Sequence, residues 1–137
     1  MKKAIIIGAT SGLGKELAKL LAKNDYLVGI TGRRTELLNN IEAENPKLYR
    51  IKSFDITEID IIETKLNELT AELGGIDLLI FSSGIGNINT DLDFEIDKKT
   101  IETNVLGFTC VLDWAFNHFK KQQHGHLVVI SSIAGIR

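Results

Sequence analysis

Five short apolar runs alternate along the chain with segments that have the periodicity of amphipathic helices. The runs cover residues 4–7, 27–31, 48–53, 78–81 and 127–130. Strands that are apolar throughout are buried on both faces, and strictly alternating strands and helices form parallel sheets with right-handed crossovers. The sequence therefore predicts an α/β fold, a doubly wound parallel sheet of five strands, in one domain of residues 1–137.

Apolar residues at spacings of three and four predict which helical faces are buried. These residues are Leu13, Leu17, Leu20 and Leu21 in the first helix, Ile62, Leu66, Leu69 and Leu73 in the third, and Ile101, Val105, Phe108, Leu112, Phe116 and Phe119 in the longest. We expect Thr35 to cap a helix that begins at Glu36, and the TEID stretch at 57–60 to form a capping box. The Gly74-Gly75 pair predicts a helix C-terminus.

Composition and charge narrow the classes of protein to which the chain can belong. Hydrophobic residues make up 44% and charged residues 25%, and the net charge of −2 gives no reason to expect a nucleic acid or membrane partner. A single cysteine excludes an internal disulfide. No apolar run reaches the roughly 18 residues that a membrane span needs. We therefore expect a cytoplasmic protein. No metal site is expected, because His124 and His126 lack an accompanying cysteine or carboxylate cluster.

A glycine-rich loop, in the stretch IIIGATSGLGKEL, follows the first strand and opens the first helix. Ligands bind such sheets beyond the carboxyl ends of the strands, and a helix N-terminus there offers free N–H groups to a pyrophosphate. The glycines at 8, 12 and 14 allow a tight turn and a close approach of the phosphate, and Thr10 and Ser11 add hydroxyl donors. The pattern predicts a dinucleotide phosphate site.

Two other phosphate-binding loops are excluded by spacing. A Walker A loop ending at Gly14-Lys15 would need a glycine at position 9 and Ser or Thr at 16, where the chain has Ala9 and Glu16. The GxGxxG fingerprint fails as well, because position 17 is leucine. The pattern that remains is GxxxGxG.

GxxxGxG directly after the first strand, followed by four further motifs, resembles the short-chain dehydrogenase/reductase family, classical type. The other motifs are FDIT at 54–57, DLLIFSSGIG at 77–86, ETNVLGF at 102–108 and GHLVVISSIAG at 125–135. The resemblance implies a Rossmann fold and an NAD(P)-dependent oxidoreductase that moves a hydride between cofactor and a small carbonyl or alcohol substrate. It also assigns the pyrophosphate to the glycine loop, including Leu13.

The resemblance also assigns residues in the later motifs. Asp55 and Ile56 are expected to contact the adenine, although Asp55 is also interpretable as a plain strand-end residue. Phe81, Ser82, Ser83 and Gly84 match the family's Asn-Asn-Ala-Gly segment beside the cofactor, of which only the glycine is retained. Asn104 is expected to hold a backbone distortion and a catalytic water, and Ser132 to hydrogen-bond the substrate. The alternatives are an exposed helical asparagine and a plain serine turn.

The end of the second strand predicts which dinucleotide is bound. NAD-binding proteins place Asp or Glu at this strand tip to bind the ribose 2′-hydroxyl. Here the sequence reads Gly32, Arg33 and Arg34. Since no carboxylate is present and two guanidiniums can bind a 2′-phosphate, NADP is expected in preference to NAD. The alternative is a solvated pair of arginines in a loop.

The family's catalytic Tyr-x-x-x-Lys pair is not found in this sequence. Tyr26 and Tyr49, its two tyrosines, lie at predicted strand starts, and neither has a lysine four residues later. We therefore expect a cofactor-binding portion, truncated before the tyrosine helix and the last two strands, that has no turnover alone. The alternative is a non-catalytic dinucleotide-binding module or regulatory short form. In the intact form the long helix is expected to contribute to a homo-oligomer interface.

Overall fold

The computed structural model describes residues 1–135, which form a parallel sheet flanked by helices. The strands are β1 (Lys2–Ile7), β2 (Tyr26–Gly32), β3 (Tyr49–Ser53), β4 (Leu78–Phe81) and β5 (His126–Val129). The helices are α1 (Gly12–Lys23), α2 (Thr35–Glu44), α3 (Ile59–Leu73), α4 (Phe94–Ile101) and α5 (Phe108–Gln122). A π-helical segment, Glu102–Gly107, joins α4 to α5, and a 3-10 turn, Ile133–Gly135, follows β5. In this part of the chain no helix is long and apolar enough to cross a membrane.

The strand order confirms the doubly wound sheet predicted from the alternation of elements. The order is β3-β2-β1-β4-β5 and every pairing is parallel. The chain moves outward from β1 to β3 and then crosses back to β4 on the other side of β1. The carboxyl ends of β1 and β4 therefore lie side by side at the point where the strand order reverses. Open α/β sheets bind their ligands at this point.

Two separate cores explain why the strands are apolar on both faces. Alternate residues of β1 point to opposite layers, so Ile6 packs with the side chains beneath α1 and α2. Ile5 and Ile7 pack on the other face with those of α3 and α5. The predicted face of α3 is confirmed, because Ile62, Leu66, Leu69 and Leu73 are all buried.

The predicted face of α1 is wrong in part. Leu13 and Leu20 are 64% and 56% exposed, and the buried positions are small residues: Gly14, Ala18 and Ala22. The backbone of α1 approaches the loop after β1 so closely that its contact stripe consists of small side chains. Leu17 and Leu21 are partly buried and pack against this core as predicted, whereas Leu13 and Leu20 lie outside it.

The predicted longest helix, which the structure divides into the end of α4, the π segment and α5, also departs from its predicted buried face. The residues that face the core are Thr103, Gly107, Val111 and Ala115, an i, i+4 row that begins in the π segment. Ile101, Val105 and Phe116 are about half exposed or more, whereas Phe108, Leu112 and Phe119 are partly buried against the core. The wider π turn shifts the helical register, so apolar residues before and after it do not share a face.

Both predicted N-terminal caps are wrong, whereas the predicted C-terminal stop is confirmed. α2 begins at Thr35 itself, and the Thr35 hydroxyl donates to Ser53 Oγ at 2.8 Å. The Thr57 hydroxyl donates to Asp55 Oδ1 at 2.8 Å instead of capping α3. Both threonine hydroxyls therefore form hydrogen bonds with residues at or just after the end of β3 and do not cap a helix. Gly74 ends α3 with a left-handed φ of 72°.

Candidate cofactor site

A cleft of about 180 Å³ opens at the carboxyl ends of β1, β2, β3 and β4. It brings together most of the residues that the sequence assigned to the cofactor. The assigned residues in its lining are Gly8, Thr10, Ser11, Arg33, Arg34, Asp55, Ile56, Ser82, Ser83 and Gly84. Residues up to 76 positions apart in sequence therefore meet at one edge of the sheet, as expected for parallel strands.

The remaining assigned residues lie outside the lining, among them Asn104, which directly follows the lining residue Thr103. Gly12 and Leu13 are exposed in the first turn of α1, and Gly14 is buried beneath it. Ser132 is exposed beyond the carboxyl end of β5, where its Oγ accepts a hydrogen bond from the Ala134 N–H at 3.1 Å. Ser132 thus lies at the sheet edge on which the cleft opens but does not line the cleft.

Two glycines shape the loop between β1 and α1. Gly8 has a φ of +87°, and a Cβ there would lie 2.9 Å from the Ser83 backbone nitrogen and overlap Ser83 Oγ. Gly12 has a φ of +58°, and a Cβ there would meet no atom within 4 Å. Gly8 is therefore required where the loops after β1 and β4 cross, whereas Gly12 faces open space.

The N-terminus of α1 is suited to an anion. Ser11 is the N-cap residue in an extended conformation, and its side chain does not cap the helix. No acidic residue lies in the first turn. The helix dipole is therefore not neutralised by a local carboxylate, and a phosphate is the kind of group that would stabilise it.

The two arginines lie at the end of β2 and face the glycine loop and β3. Arg34 Nη2 donates to Thr10 Oγ1 at 3.0 Å and to Ser11 Oγ at 3.4 Å. Arg33 Nη1 lies 3.9 Å from Asp55 Oδ2. Two exposed guanidiniums thus line the cleft, and guanidiniums can bind a phosphate dianion through several charged hydrogen bonds.

Asp55 uses one carboxylate oxygen to shape its own turn. Its Oδ1 accepts from the Thr57 N–H at 2.9 Å and from the Thr57 hydroxyl, while Oδ2 faces Arg33. The local role proposed for a strand-end aspartate is therefore present in the structure. Asp55 nevertheless lines the cleft, so the structural and ligand-binding interpretations are compatible.

The departure from Asn-Asn-Ala-Gly after β4 has a packing explanation. Phe81 is 2% exposed, and its ring packs edge-on against Phe108 with the centroids 5.1 Å apart. The Ser82 N–H donates to the Ile7 carbonyl at 2.9 Å and extends the pairing of β4 with β1. Phe81 thus extends the core beneath the cleft, and the two serines leave the strand end small.

Asn104 fastens the loop after β4 to the π-helical segment. Its Oδ1 accepts from the Ile85 N–H at 2.9 Å, and its Nδ2 donates to the Ile85 carbonyl at 2.6 Å. The backbone distortion that the resemblance associates with this asparagine is present as the segment Glu102–Gly107. Its wider turn sets Asn104 opposite a main-chain segment 19 residues earlier. The catalytic role of Asn104 stays a prediction.

Replacing Asn104 with alanine should destabilise the protein and loosen the loop after β4. The change leaves the Ile85 N–H and carbonyl without their partner, at a cost of roughly 2 kcal/mol. Urea unfolding measures the loss, and hydrogen exchange of the Ile85 amide should accelerate. Asn117→Ala, at an exposed position of α5, is the matched control. Equal stability of the two variants would contradict this role.

Several cleft residues were not found from the sequence. They are Thr31, Phe54, Ile85 and Thr103, whereas Gly32 was already singled out as the tip of β2. Thr31 is 1% exposed and its hydroxyl donates to the Ile6 carbonyl at 3.2 Å, so a polar residue at the end of an apolar run was the available signal. Thr103 is one residue before Asn104 and is also buried, but nothing in its local sequence indicates that it faces a cleft.

A larger depression of about 810 Å³ lies elsewhere, between α3 and α5. It is lined by Trp114, whose Nε1 donates to Asn67 Oδ1 at 2.9 Å, and by neighbouring residues of the two helices. It contains none of the glycine-loop or strand-end residues. Size alone is therefore a poor guide in this fold, and the smaller cleft is the candidate site.

The sheet order, the helices on both faces and the cleft beside β1 define a Rossmann fold. The family model described as "short chain dehydrogenase" matches residues 2–137, and the chain belongs to this family. The prediction made from the sequence motifs is therefore confirmed at the level of fold and family.

The curated relatives are longer than this chain. An uncharacterized oxidoreductase of Mycobacterium tuberculosis is 32% identical over 143 residues, a match that covers 99% of this chain and 56% of the relative. Dehydrogenase/reductase SDR family member 7B of Xenopus tropicalis is 33% identical, with 96% of this chain and 46% of the relative covered. The chain thus spans about half the length of these relatives.

Solved structures share the fold at similar coverage. ElxO with NADP bound has a TM-score of 0.89 and 30% identity, covering 99% of this chain and 57% of ElxO. Serine dehydrogenase from Escherichia coli has a TM-score of 0.90 and 27% identity, covering 98% of this chain and 64% of that one. A variant of actinorhodin polyketide ketoreductase with NADPH has a TM-score of 0.90 and 25% identity, covering 99% and 55%.

Proposed function

We propose that the protein is an NADP(H)-dependent oxidoreductase that acts on a small carbonyl or alcohol substrate, and that residues 1–137 hold its cofactor. The observation that carries the proposal is the cleft at the strand ends, where the glycine loop faces Arg33 and Arg34 and the tip of β2 carries no carboxylate. The family and the NADP-bound ElxO structure support it.

The residues present fit a dinucleotide. Gly12 leaves open space at the uncapped N-terminus of α1, a place where backbone N–H groups can receive a pyrophosphate. Arg34 is already hydrogen-bonded to the hydroxyls of the glycine loop. A 2′-phosphate close to that guanidinium would gain charge-assisted hydrogen bonds at a prepared position.

The chemistry divides between cofactor and protein. NADP(H) would supply or accept the hydride. Asp55 and Ile56 would bound the adenine side, and Ser82 to Gly84 would border the cofactor at the end of β4. Asn104 would position the loop after β4, and Ser132 would hydrogen-bond the substrate oxygen and polarise it. In the whole protein a further acid/base residue would complete proton transfer.

A binding measurement tests the proposal directly on the 137-residue chain. Isothermal titration with NADPH and with NADH should show binding of both, with NADPH at least roughly tenfold tighter because of the charged hydrogen bonds to its 2′-phosphate. Adenosine 2′,5′-bisphosphate should compete with NADPH. We expect no NADPH oxidation by this chain when carbonyl compounds are added.

The control for charge is Arg50→Ala. Arg50 lies near the amino end of β3 and donates to the Pro46 and Tyr49 carbonyls, away from the cleft. This variant should keep the wild-type affinity for NADPH. Absence of dinucleotide binding by the wild-type chain would overturn the proposal, and equal affinity for NADPH and NADH would overturn its NADP part.

Exposed apolar residues of the π segment and α5 support a homo-oligomer of the whole protein. Val105 and Leu106 in the π segment are 52% and 47% exposed, and Phe116, about three turns later in α5, is 62% exposed. Burial of such side chains against a second copy would remove apolar surface from water. Analytical ultracentrifugation of the whole protein, with Phe116→Glu as the disrupting variant, is the corresponding measurement.

A further inference from the structure

We infer that Thr10 sets the preference between NADPH and NADH, because its side chain both holds Arg34 and occupies the space that an acidic residue at position 32 would need. This inference rests on the proposed NADP(H) binding and deepens it. Thr10 is therefore a positioning residue: its hydroxyl holds Arg34 in place, and its methyl group limits the size of the side chain at position 32.

The methyl group of Thr10 occupies the space that a side chain at position 32, the last residue of β2, would need. A Cβ built on Gly32 would overlap Thr10 Cγ2, whereas Thr10 Cβ at 3.6 Å and Leu38 Cδ2 at 3.7 Å would be ordinary contacts. Gly32 does not have a positive φ, so its backbone would accept another residue. The Thr10 methyl is therefore the atom that excludes the Asp or Glu with which NAD-binding proteins hold the ribose.

The hydroxyl of the same side chain holds the guanidinium. Thr10 Oγ1 accepts from Arg34 Nη2 at 3.0 Å, and the second acceptor, Ser11 Oγ, is more distant at 3.4 Å. Arg34 is otherwise exposed, and an exposed arginine loses considerable side-chain entropy when it binds a ligand in one conformation. The hydrogen bond to Thr10 places the guanidinium before the ligand arrives, which favours binding of a phosphate.

The two roles are coupled because the methyl and the hydroxyl share one Cβ. A rotation about χ1 that moves the methyl away from Gly32 passes to another staggered rotamer about 120° away, and it moves Oγ1 away from Arg34 at the same time. A carboxylate at position 32 and the Thr10–Arg34 hydrogen bond therefore exclude each other in this conformation of the loop.

The first test separates the hydroxyl from the methyl. Thr10→Val keeps a methyl above Gly32 and removes the acceptor, and it should weaken NADPH binding roughly threefold to tenfold with little change for NADH. Thr10→Ser keeps the acceptor and should retain the NADPH-to-NADH ratio within about twofold. Isothermal titration calorimetry measures the six dissociation constants of wild type and the two variants for NADPH and NADH.

The outcomes separate this inference from the proposed function. If wild type and Thr10→Val prefer NADPH equally, the positioning role is wrong and NADP(H) binding stands. If Thr10→Ser loses the preference as Thr10→Val does, rescue by the hydroxyl fails and the inference is overturned. If the wild-type chain binds neither dinucleotide, the proposed function and the inference fall together.

The second test concerns the methyl and needs no cofactor. Gly32→Ala should lower the thermal midpoint by about 5 °C in the wild-type background but by less than about 2 °C in the Thr10→Ser background. In the Thr10→Ser background, Gly32→Asp should also shift the preference toward NADH at least roughly tenfold. Equal losses of stability in both backgrounds would show that the Thr10 methyl is not the obstacle.

Discussion

Replacing Arg33 and Arg34 together with alanine should weaken NADPH binding by at least about 100-fold, since each charged hydrogen bond contributes about 1.5–3 kcal/mol. The affinity for NADH should change less than about threefold, because the substitution removes groups that would bind the 2′-phosphate. Titration of both dinucleotides at fixed ionic strength measures the change.

The single variants identify which guanidinium carries the effect. Arg34 is bonded to the glycine loop and should carry the larger share, whereas Arg33 lies near Asp55 and is 57% exposed. Raising the salt concentration should weaken NADPH binding to the wild-type chain more than binding to the double variant, because exposed charge pairs are screened. An unchanged NADPH affinity in the double variant would mean that the phosphate is held elsewhere.

The sheet and its cleft were predictable because they follow from burial and connectivity. Runs such as Ile5 to Ile7 are apolar on both faces and belong inside a covered parallel sheet. Once the strands are parallel, the residues after each strand meet at one edge. The assignments at Gly8, Arg34, Asp55 and Ser82 therefore lie in one cleft, although they come from four loops.

The helical faces were less predictable, because apolar periodicity does not report how closely a helix approaches the sheet. At α1 and at the π segment, small residues such as Ala18 and Gly107 face the core, and larger apolar residues such as Leu20 and Val105 are exposed. A Cβ on Gly107 would lie 2.6 Å from the Ile56 carbonyl oxygen, so the helix backbone itself is the packing surface. Such contacts are set by tertiary structure and leave only small residues as a sequence signal.

The polar contacts that organise the cleft were not predictable, because they join distant residues. Asn104 forms hydrogen bonds with the Ile85 main chain. Thr10 accepts a hydrogen bond from Arg34, and its methyl group occupies the space next to Gly32. The sequence identified Asn104, Thr10 and Arg34 but not the contacts that they make. Residue type can indicate that a side chain needs a partner, whereas the partner is fixed only by the arrangement of the loops.

Gly14→Ala should destabilise the protein although alanine is the better helix former. Within a helix this substitution normally gains about 1 kcal/mol. Here the new Cβ would overlap the Gly8 carbonyl oxygen and lie 2.9 Å from its carbon and 3.3 Å from Ala9 Cα. These neighbours are backbone atoms held by the sheet, so α1 must move away. Overpacking of this kind costs about 3 kcal/mol.

The overlap outweighs the gain in helix propensity, so a net loss of about 2 kcal/mol and a lower thermal midpoint by roughly 8 °C are expected. Gly86→Ala is the matched control, because a Cβ at Gly86 would meet no atom of residues 1–135 within 4 Å. Its midpoint should stay within about 2 °C of wild type. The displaced α1 N-terminus should also weaken binding of NADPH and NADH by the same factor, since both carry the pyrophosphate. A Gly14→Ala protein as stable as Gly86→Ala would mean that the first turn of α1 does not rest on the loop after β1.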